Sequence, residues 1–231
     1  MIQTMIRHRR FAGIVFICGF LAAPLLSAQP YTTAKAMLTA ACQKSGWDQW
    51  TTLQSVRIER KVASLHKTET RIYKLPFHFY NHSESGNPPV KATEVFTPRR
   101  SWRVESNGKK FPLTNPPNTR HFPVWELTLL FDQGLKFKKS QLDGKAVYVI
   151  SKPTADGKRY HDFYFDATSL RLVAADFNYF DSVKDLTYFE DYRQIQGFWL
   201  PYRERLNTKL IREIQSVRFN EPVDTWFAEP Q

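Results

Sequence analysis

The sequence has few cysteines, few glycines and no internal apolar run long enough to cross a membrane. Of its 231 residues, two are cysteine and nine are glycine. Cys18 lies in an N-terminal segment that we expect to be removed, so the mature chain keeps Cys42 alone. This excludes an internal disulfide and a cysteine-built zinc site. Beyond that segment no stretch reaches the ~20 apolar residues of a membrane-spanning helix, which predicts a soluble or peripheral protein.

Motifs of the common catalytic sites are also missing. No serine lies in a G-x-S-x-G setting, and neither a P-loop nor G-x-G-x-x-G occurs. His78 and His82 have a chelating HxxxH spacing, but their surroundings predict an extended strand, which separates the rings by ~13 Å. Nothing selects a catalytic pair among the carboxylates. The sequence therefore predicts a protein that is not an enzyme, with no catalytic residues, metal or cofactor. An envelope hydrolase is the weaker alternative, because two acids of a glycosidase need not be close in sequence.

Residues 1–28 have the layout of a cleaved signal peptide. Arg7, Arg9 and Arg10 precede an apolar run that Pro24 interrupts, and small residues lead up to Ala28. We expect an exported, periplasmic protein in which residues 29–231 form a single domain. Loss of the three arginines lowers the formal net charge from +11 to +8.

The remaining basic charge is spread along the chain rather than gathered in a docking motif. Together with export, this argues against a nucleic-acid partner. It suits either a solvated surface or transient contact with anionic lipid head groups.

Hydrophobic spacing predicts one helix at the start of the mature chain and strands after it. Ala34, Met37, Leu38 and Ala41 follow helical spacing within a helix at 32–43, with a threonine before it as N-cap and Gly46 after it. Cys42 is expected to be a buried structural thiol. Trp47, Trp50 and Leu53 predict a short turn anchored on the core.

From residue 56 the hydrophobic period changes to two. Val56, Ile58 and Val62 predict a first half-buried strand. Further strands are predicted at 67–75, 90–97, 101–105, 135–141, 145–152, 159–165, 170–180, 185–194, 198–206 and 210–219. Turn signals such as Asp143-Gly144 and Asp156-Gly157 separate the later strands and predict an antiparallel meander.

One segment, residues 124–131, predicts a short helix that is apolar nearly all round. Such a helix must be buried on most sides. It is either a plug over one end of the sheet or a movable lid across a cavity.

The strand at 145–152 is apolar on both faces, with Val147 and Val149 on one side and Tyr148 and Ile150 on the other. The chain is also 15% aromatic. A curved sheet of this length encloses more apolar surface than two short helices can cover. The excess is either packed shut by aromatic side chains or lines a pocket for an apolar ligand.

The sequence resembles the LolA-like superfamily of exported lipoprotein carriers, with its lipid-binding (LppX/LprG-type) and sensor (RseB-type) relatives. One part of the sequence that shows this resemblance is the N-terminal helix, which leads through Gly46-Trp47 into a first strand. The other is the ending Asp191-Tyr192, Gly197-Phe198-Trp199-Leu200-Pro201, Asn220-Glu221-Pro222-Val223-Asp224 and Phe227-Ala228-Glu229-Pro230. The similarity covers most of residues 34–230, whereas residues 78–89 form an insertion relative to compact carriers.

The resemblance implies a mainly β (α+β) fold: a strongly curved antiparallel sheet forming an unclosed half barrel around a hydrophobic cavity. It further implies a lid near residues 125–131, held by an arginine near the first strands, for which Arg57 and Arg60 are the candidates. The candidate cavity or lid residues are Val56, Ile58, Trp102, Trp125, Leu129, Leu130, Val147, Val149, Phe163 and Phe165.

The function implied is binding or transport of lipid or lipoprotein acyl chains in the bacterial envelope, as in outer-membrane lipoprotein sorting, by apolar burial without catalysis. The alternative is a periplasmic sensor or structural domain that docks an envelope membrane protein. That alternative predicts a filled interior and an exposed apolar patch near Trp226 and Phe227 or on an edge strand.

Overall fold

The computed structural model of the chain describes residues 31–86, 88–114, 120–177 and 185–228. The predicted signal peptide lies outside these ranges. Within them, no helix has the length and apolarity needed to cross a membrane. The helices are α1 (Ala34–Ser45), a 3-10 helix (Trp47–Thr52), a second 3-10 helix (Ala63–Leu65), α2 (Trp125–Leu130) and a third 3-10 helix (Asp224–Phe227). The strands are β1 (Val56–Val62), β2 (Lys67–Lys74), β3 (His78–Ser85), β4 (Val90–Phe96), β5 (Ser101–Glu105), β6 (Lys110–Pro112), β7 (Lys136–Leu142), β8 (Lys145–Pro153), β9 (Tyr160–Asp166), β10 (Leu172–Asp176), β11 (Leu186–Ile195), β12 (Phe198–Leu206) and β13 (Lys209–Phe219).

These strands form one antiparallel sheet in the order β6-β5-β4-β3-β2-β1-β13-β12-β11-β10-β9-β8-β7. The chain makes two meanders, β1 to β6 and β7 to β13, and the pairing of β1 with β13 joins them. Strands β6 and β7 lie at opposite edges, so the sheet of the described residues is not closed. The predicted fold class, a mainly β protein with an unclosed antiparallel sheet, is confirmed.

Two strands were not predicted. Strand β3 occupies most of the predicted insertion at 78–89 and pairs along its length with both β2 and β4. Its side chains are mostly polar, so its place in the sheet depends on backbone hydrogen bonds rather than on an apolar stripe. Strand β6 has three residues. In addition, β10 ends at Asp176, short of the predicted end at 180, and residues 178–184 lie outside the described ranges.

Helix α1 forms where the spacing predicts it, two residues further along the chain. The Oγ1 atom of Thr33 accepts a hydrogen bond from the backbone N–H of Ala36 at 3.2 Å, which caps the first turn. Gly46 ends the helix with φ +80°, a left-handed conformation that favours glycine. Met37 and Leu38 are fully buried.

The two segments that carry the family resemblance pack against each other. The Nε1 atom of Trp47 donates to the backbone oxygen of Trp199 at 2.9 Å, and the Trp47 ring lies 4.9 Å from that of Phe198. Trp47 is fully buried, as its predicted anchoring role requires. At the other end of the motif, Asn220 pairs with the segment before β1, since its side-chain oxygen accepts from the Gln54 N–H.

Helices α1 and α2 and the first 3-10 helix cover one face of the sheet, here called the helix-covered face, and divide its core into two clusters. In the first cluster α1 packs on strands β8 to β11 through residues such as Leu38 and Phe163. In the second, Trp47 and Leu53 pack on β1, β12 and β13. Helix α2 contributes Leu129 to the first cluster and Leu127 to the second, so it ties the two together.

The opposite, outer face has two smaller clusters. The C-terminal segment covers one of them, which contains Ile72, Tyr80, Val95, Trp102 and Val223. The other lies on β8, β9 and β10 and contains Val147, Val149, Tyr164 and Ala174.

Candidate ligand pocket

A pocket of about 310 Å³ lies between the helix-covered face of the sheet and residues 120–128. The sheet supplies its floor and α2 with the preceding loop supplies its roof. Its lining residues are Ile58, Arg60, Arg71, Tyr73, Phe79, Arg120, His121, Phe122, Pro123, Val124, Trp125, Glu126, Thr128, Leu172, Phe189, Tyr192, Leu200, Pro201, Glu204 and Ile214.

One part of the wall is apolar and contains large rings. The Trp125 ring on α2 lies 5.1 Å from the Phe163 ring on β9, so this aromatic contact joins α2 to the sheet. Leu172 and Phe189 are buried on the floor. The Tyr192 hydroxyl donates to the backbone oxygen of Leu172 at 2.7 Å, and burial raises the pKa of this phenol far above its ordinary value. Tyr192 therefore presents a neutral ring edge with its polar group satisfied.

The opposite part of the wall contains a buried ion-pair network. The Nε atom of Arg60 donates to Glu69 Oε2 at 2.8 Å, and its Nη2 atom lies 2.6 Å from the same oxygen. Glu204 lies 3.7 Å from Arg60 and 2.8 Å from Arg212. Burial alone would raise the pKa of Glu69, but Arg60 and Arg71 outweigh it and hold that pKa at about 2. Glu69 is therefore ionised, and arginines engage both carboxyl groups.

Arg71 and His121 lie beside this network with less complete partners. Arg71 Nε is 3.6 Å from Glu69 Oε2, too far for a good hydrogen bond, and its guanidinium lies over the Phe79 ring. The Phe79 ring stacks on that of His121 at 5.2 Å. Burial lowers the pKa of His121 to about 4, so the imidazole is neutral at pH 7.

Glu126 is a buried carboxyl in the first turn of α2. Burial raises its pKa to about 7, against the opposing effect of hydrogen bonds from the backbone N–H groups of Glu126 itself and Leu172. In the described part of the chain no ion pair engages it. Near pH 7 this group is consequently divided between its neutral and charged forms.

The fold that carries this pocket is also found in a protein of known structure. No protein-family model matches the sequence, and no curated protein does. The structure is similar to the crystal structure of a LolA superfamily protein from Nitrosomonas europaea, with a TM-score of 0.52 and 11% sequence identity. The match covers 83% of this chain and 97% of the other. The chain has a LolA-like fold. The resemblance inferred from the first strand and the C-terminal motif is confirmed at the level of the fold.

In this LolA-like fold, the predicted cavity and lid residues are only partly brought together. Ile58 and Trp125 line the pocket. Five others do not line the pocket but pack in the two core clusters between the helices and the sheet; they are Val56, Leu129, Leu130, Phe163 and Phe165. Phe163 still contacts the pocket indirectly through Trp125.

Three of the predicted cavity residues lie on the outer face instead. Strand alternation puts Tyr148 and Ile150 toward α1, which turns Val147 and Val149 away from the pocket. Because β8 is apolar on both sides, its pattern does not reveal which side the helices cover. Trp102 packs beneath the C-terminal segment in the cluster of Val223.

The two candidate lid-holding arginines also separate. Arg60 lines the pocket beside α2. Arg57 points to the outer face, where it pairs with Glu59 at 2.7 Å and lies over the Trp226 ring. The alternation of β1 accounts for this difference, since Arg60 is in phase with Ile58 and Arg57 is not.

Several pocket residues were missed because they are polar. Arg71 is in phase with Tyr73 on β2, so period-two counting places it on the helix-covered face, yet a charged residue there gives no apolar signal. Arg120 and His121 follow a stretch of sequence rich in Pro and Asn, which has no hydrophobic periodicity.

His78 and His82, the two histidines with HxxxH spacing, each contact another side chain. His82 Nδ1 is 2.8 Å from Thr93 Oγ1, and the His78 ring packs on Phe227. No group of three metal-ligating side chains occurs in the described ranges. Cys42 is buried, as expected of a structural thiol.

Proposed function

We propose that this chain is an exported, periplasmic binder or carrier of lipid or lipoprotein acyl chains in the bacterial envelope. The observation that carries the proposal is the pocket of about 310 Å³ between the open sheet and α2. Its volume lies at the lower end of the ~300–1,000 Å³ range of ligand sites. A long acyl chain therefore requires α2 or its preceding loop to move, which fits the lid interpretation.

The apolar wall supplies the affinity. Burial of apolar surface is worth ~25 cal/mol per Å², so 200–300 Å² of acyl chain contributes roughly 5–8 kcal/mol before the cost of association. Trp125, Leu172 and Phe189 offer such surface without a hydrogen-bond demand. Binding of this kind requires no catalytic group.

The test is binding of a fluorescent fatty acid to delipidated protein. Trp125→Ala removes a ring from the pocket roof and is expected to weaken binding at least tenfold. Trp226→Ala is the matched control, because Trp226 is on the outer face against Tyr80. Thermal melts of both variants separate lost binding from lost folding. No binding by the parent protein, or equal affinity in all three proteins, would overturn the proposal. Native mass spectrometry of protein purified from its own envelope would then identify the natural ligand.

We also propose that this carrier touches anionic membranes through a row of hairpin tips. In the strand order, the tips of the β5–β6, β3–β4, β1–β2 and β12–β13 hairpins are neighbours at one end of the sheet. Leu65 and Val90, at two of these tips, are 61% and 63% exposed. Exposed lysines accompany them; they are Lys61, Lys91, Lys109 and Lys209. Lys91 alone among these four has a nearby carboxylate, Glu84 at 3.9 Å, in the described part of the chain.

Co-sedimentation with vesicles tests this contact. The double variant Lys109→Glu/Lys209→Glu is expected to lose binding to vesicles that contain phosphatidylglycerol, because each basic residue near such a surface contributes ~1 kcal/mol. Lys138→Glu/Lys139→Glu, on β7 at one edge of the sheet, changes the charge equally and should bind like the parent protein. Equal loss in both variants would indicate an effect of net charge alone.

A sensor or structural domain that docks an envelope membrane protein is the alternative function. Trp226 is 36% exposed, as that alternative requires. The pocket, however, is at odds with the filled interior that it predicts. A stoichiometric partner in pull-downs from envelope extracts, lost in Trp226→Ala and combined with no lipid binding, would favour it.

A hydrolase is the weaker alternative, and one observation favours it: Glu126 and Glu204 both line the pocket. Glu204 is held by two arginines, whereas Glu126, with its pKa raised to about 7, is the carboxyl that could donate or accept a proton. Glycoside or ester hydrolysis that disappears in both Glu126→Gln and Glu204→Gln would establish this function.

A further inference from the structure

The charged part of the pocket wall is unevenly balanced. Three arginines line the pocket, whereas its two lining carboxyls are already engaged, Glu126 by backbone N–H groups and Glu204 by arginines. Arg60 donates a hydrogen bond to Glu69 and forms a longer ion pair with Glu204 at 3.7 Å. Glu69 and Glu204 are shared among Arg60, Arg71, Lys67 and Arg212, so positive charge exceeds negative charge in this cluster, and Arg120 adds to the excess.

A side-chain hydrogen bond links Arg71 to Tyr73, but its guanidinium retains further hydrogen-bonding capacity. Its nearest carboxylate, Glu69, is shared with Arg60 and with Lys67, which lies 3.0 Å from Glu69 Oε1. The Nε atom of Arg71 is buried and has no hydrogen-bond partner among the described residues. A buried, unpaired N–H of a guanidinium is costly, and an acceptor placed there would relieve that cost.

Arg120 is at the exposed mouth of the same pocket. Its guanidinium lies over the rings of Phe131, at 4.8 Å, and Phe77, at 6.0 Å. These contacts fix its position without neutralising its charge, and in the described ranges no carboxylate pairs with it. The next residue, His121, has a buried Nε2 atom that likewise lacks a partner there.

The geometry points to an anionic group as the polar end of the ligand. We infer that the pocket takes a single-chain amphiphile whose carboxylate or phosphate lies between Arg71 and Arg120, with its alkyl chain against Trp125, Leu172 and Phe189. This inference rests on the proposed acyl-chain binding. Guanidinium groups bind carboxylates and phosphates through paired, charge-assisted hydrogen bonds that are roughly twice as strong as neutral ones. The neutral His121 ring adds a donor or an acceptor at the same place.

The experiment compares dodecyl compounds that differ only in the head group, each below its micelle concentration, by displacement of a fluorescent probe. Dodecanoate and dodecyl phosphate are expected to bind the delipidated protein at least tenfold more tightly than dodecanol, and dodecyltrimethylammonium is expected to bind most weakly. Tight binding of dodecanoate alone would identify the head group as a carboxylate, and of dodecyl phosphate alone as a phosphate.

Variants locate the recognition. Arg120→Gln is expected to reduce the tenfold preference to less than threefold while leaving the affinity for dodecanol unchanged. Arg71→Gln should reduce the preference in the same way. If that variant does not fold, Arg71→Lys, which keeps the charge, takes its place. Arg203→Gln is the control, because Arg203 is exposed on β12 and pairs with Glu213 outside the pocket.

The outcomes separate the two proposals. Equal affinity of the parent protein for dodecanol and the anionic compounds would overturn the inference while supporting acyl-chain binding. A preference that survives in both arginine-to-glutamine variants would overturn it as well. Failure of every dodecyl compound to bind would overturn the proposed function, and the inference with it.

Discussion

Glu126 makes the stability of this protein depend on pH in an unusual direction. Its carboxyl is buried under α2, and its pKa is raised from 4.5 to about 7. This increase means that ionised Glu126 lowers the free energy of unfolding by about 3 kcal/mol relative to the protonated group. Below pH 4.5 the group is protonated in the folded and unfolded chains, so there is no cost. As the pH rises from 4.5 to about 7 the unfolded chain loses the proton first, and above that range the full cost applies.

Glu126→Gln tests this reasoning, because glutamine keeps a side-chain oxygen that can accept from the Leu172 N–H and removes the charge. Urea unfolding followed by tryptophan fluorescence should show the variant about 3 kcal/mol more stable than the parent at pH 8 and equally stable at pH 4.5. Glu105→Gln is the control, a half-buried carboxyl on β5 whose contact with Arg103 at 3.9 Å is long, with no expected change at either pH. A variant that is less stable at pH 8, or that differs by the same amount at both pH values, would refute the assignment of Glu126 as a buried ionisable group.

Three further predictions concern the framework around the pocket. Gly46→Ala should destabilise the protein by more than the ~1–2 kcal/mol that a non-glycine residue costs in the left-handed conformation, because its Cβ would be 2.3 Å from a carbonyl oxygen of the β11–β12 turn. Gly157 has a similar φ and open space around it, so Gly157→Ala measures the conformational cost alone in the same urea titration. The Cys42 thiol, whose pKa burial raises to about 12, should react with a thiol reagent only after denaturant is added, and fast reaction of the native protein would contradict its burial. Arg60→Met should cost about 3 kcal/mol because it leaves the buried Glu69 carboxylate short of its main partner, and Glu69→Gln in the same chain should recover much of that loss.

The sequence was most informative where local chemistry decides the structure. Asp-Gly and Gln-Gly turns with period-two runs between them placed β7 to β9 and β11 to β13 within a few residues, and β12 coincides with its prediction. The helical spacing of apolar residues, with a threonine before them and Gly46 after them, predicted the position of α1. In these segments the turn residue and the apolar pattern favour the same structure, so little depends on distant contacts.

Other features depend on partners far along the chain. Strand β3 joins the sheet through its neighbours, although its own side chains are mainly polar. Which face of β8 the helices cover is decided by where α1 packs, and the sequence of β8 does not show it. Val147 and Val149 were cavity candidates, and they lie on the outer face. The ion pairs of Arg60 form only after β1 pairs with β2 and β13 brings β12 close to β1. A charged residue in phase with apolar neighbours was the signal available in the sequence for both Arg60 and Arg71. Arg60 became a candidate through the family resemblance instead, together with Arg57, and Arg71 was not predicted.

The plug and lid interpretations of α2 need not exclude each other, because its two ends are held differently. Leu127 and Leu129 are fully buried and tie α2 to both core clusters, as a plug requires. Its start lacks a side-chain cap and includes Glu126, whose ionisation opposes burial. We therefore expect the pocket to open by movement of the loop and first turn, residues 120–126, while Leu127 and Leu129 stay packed. Glu126→Gln should then slow the release of a bound fluorescent fatty acid in stopped-flow experiments at pH 8 and leave it unchanged at pH 4.5. Release that is equally fast in parent and variant at pH 8 would show that the whole of α2, or another segment, controls access.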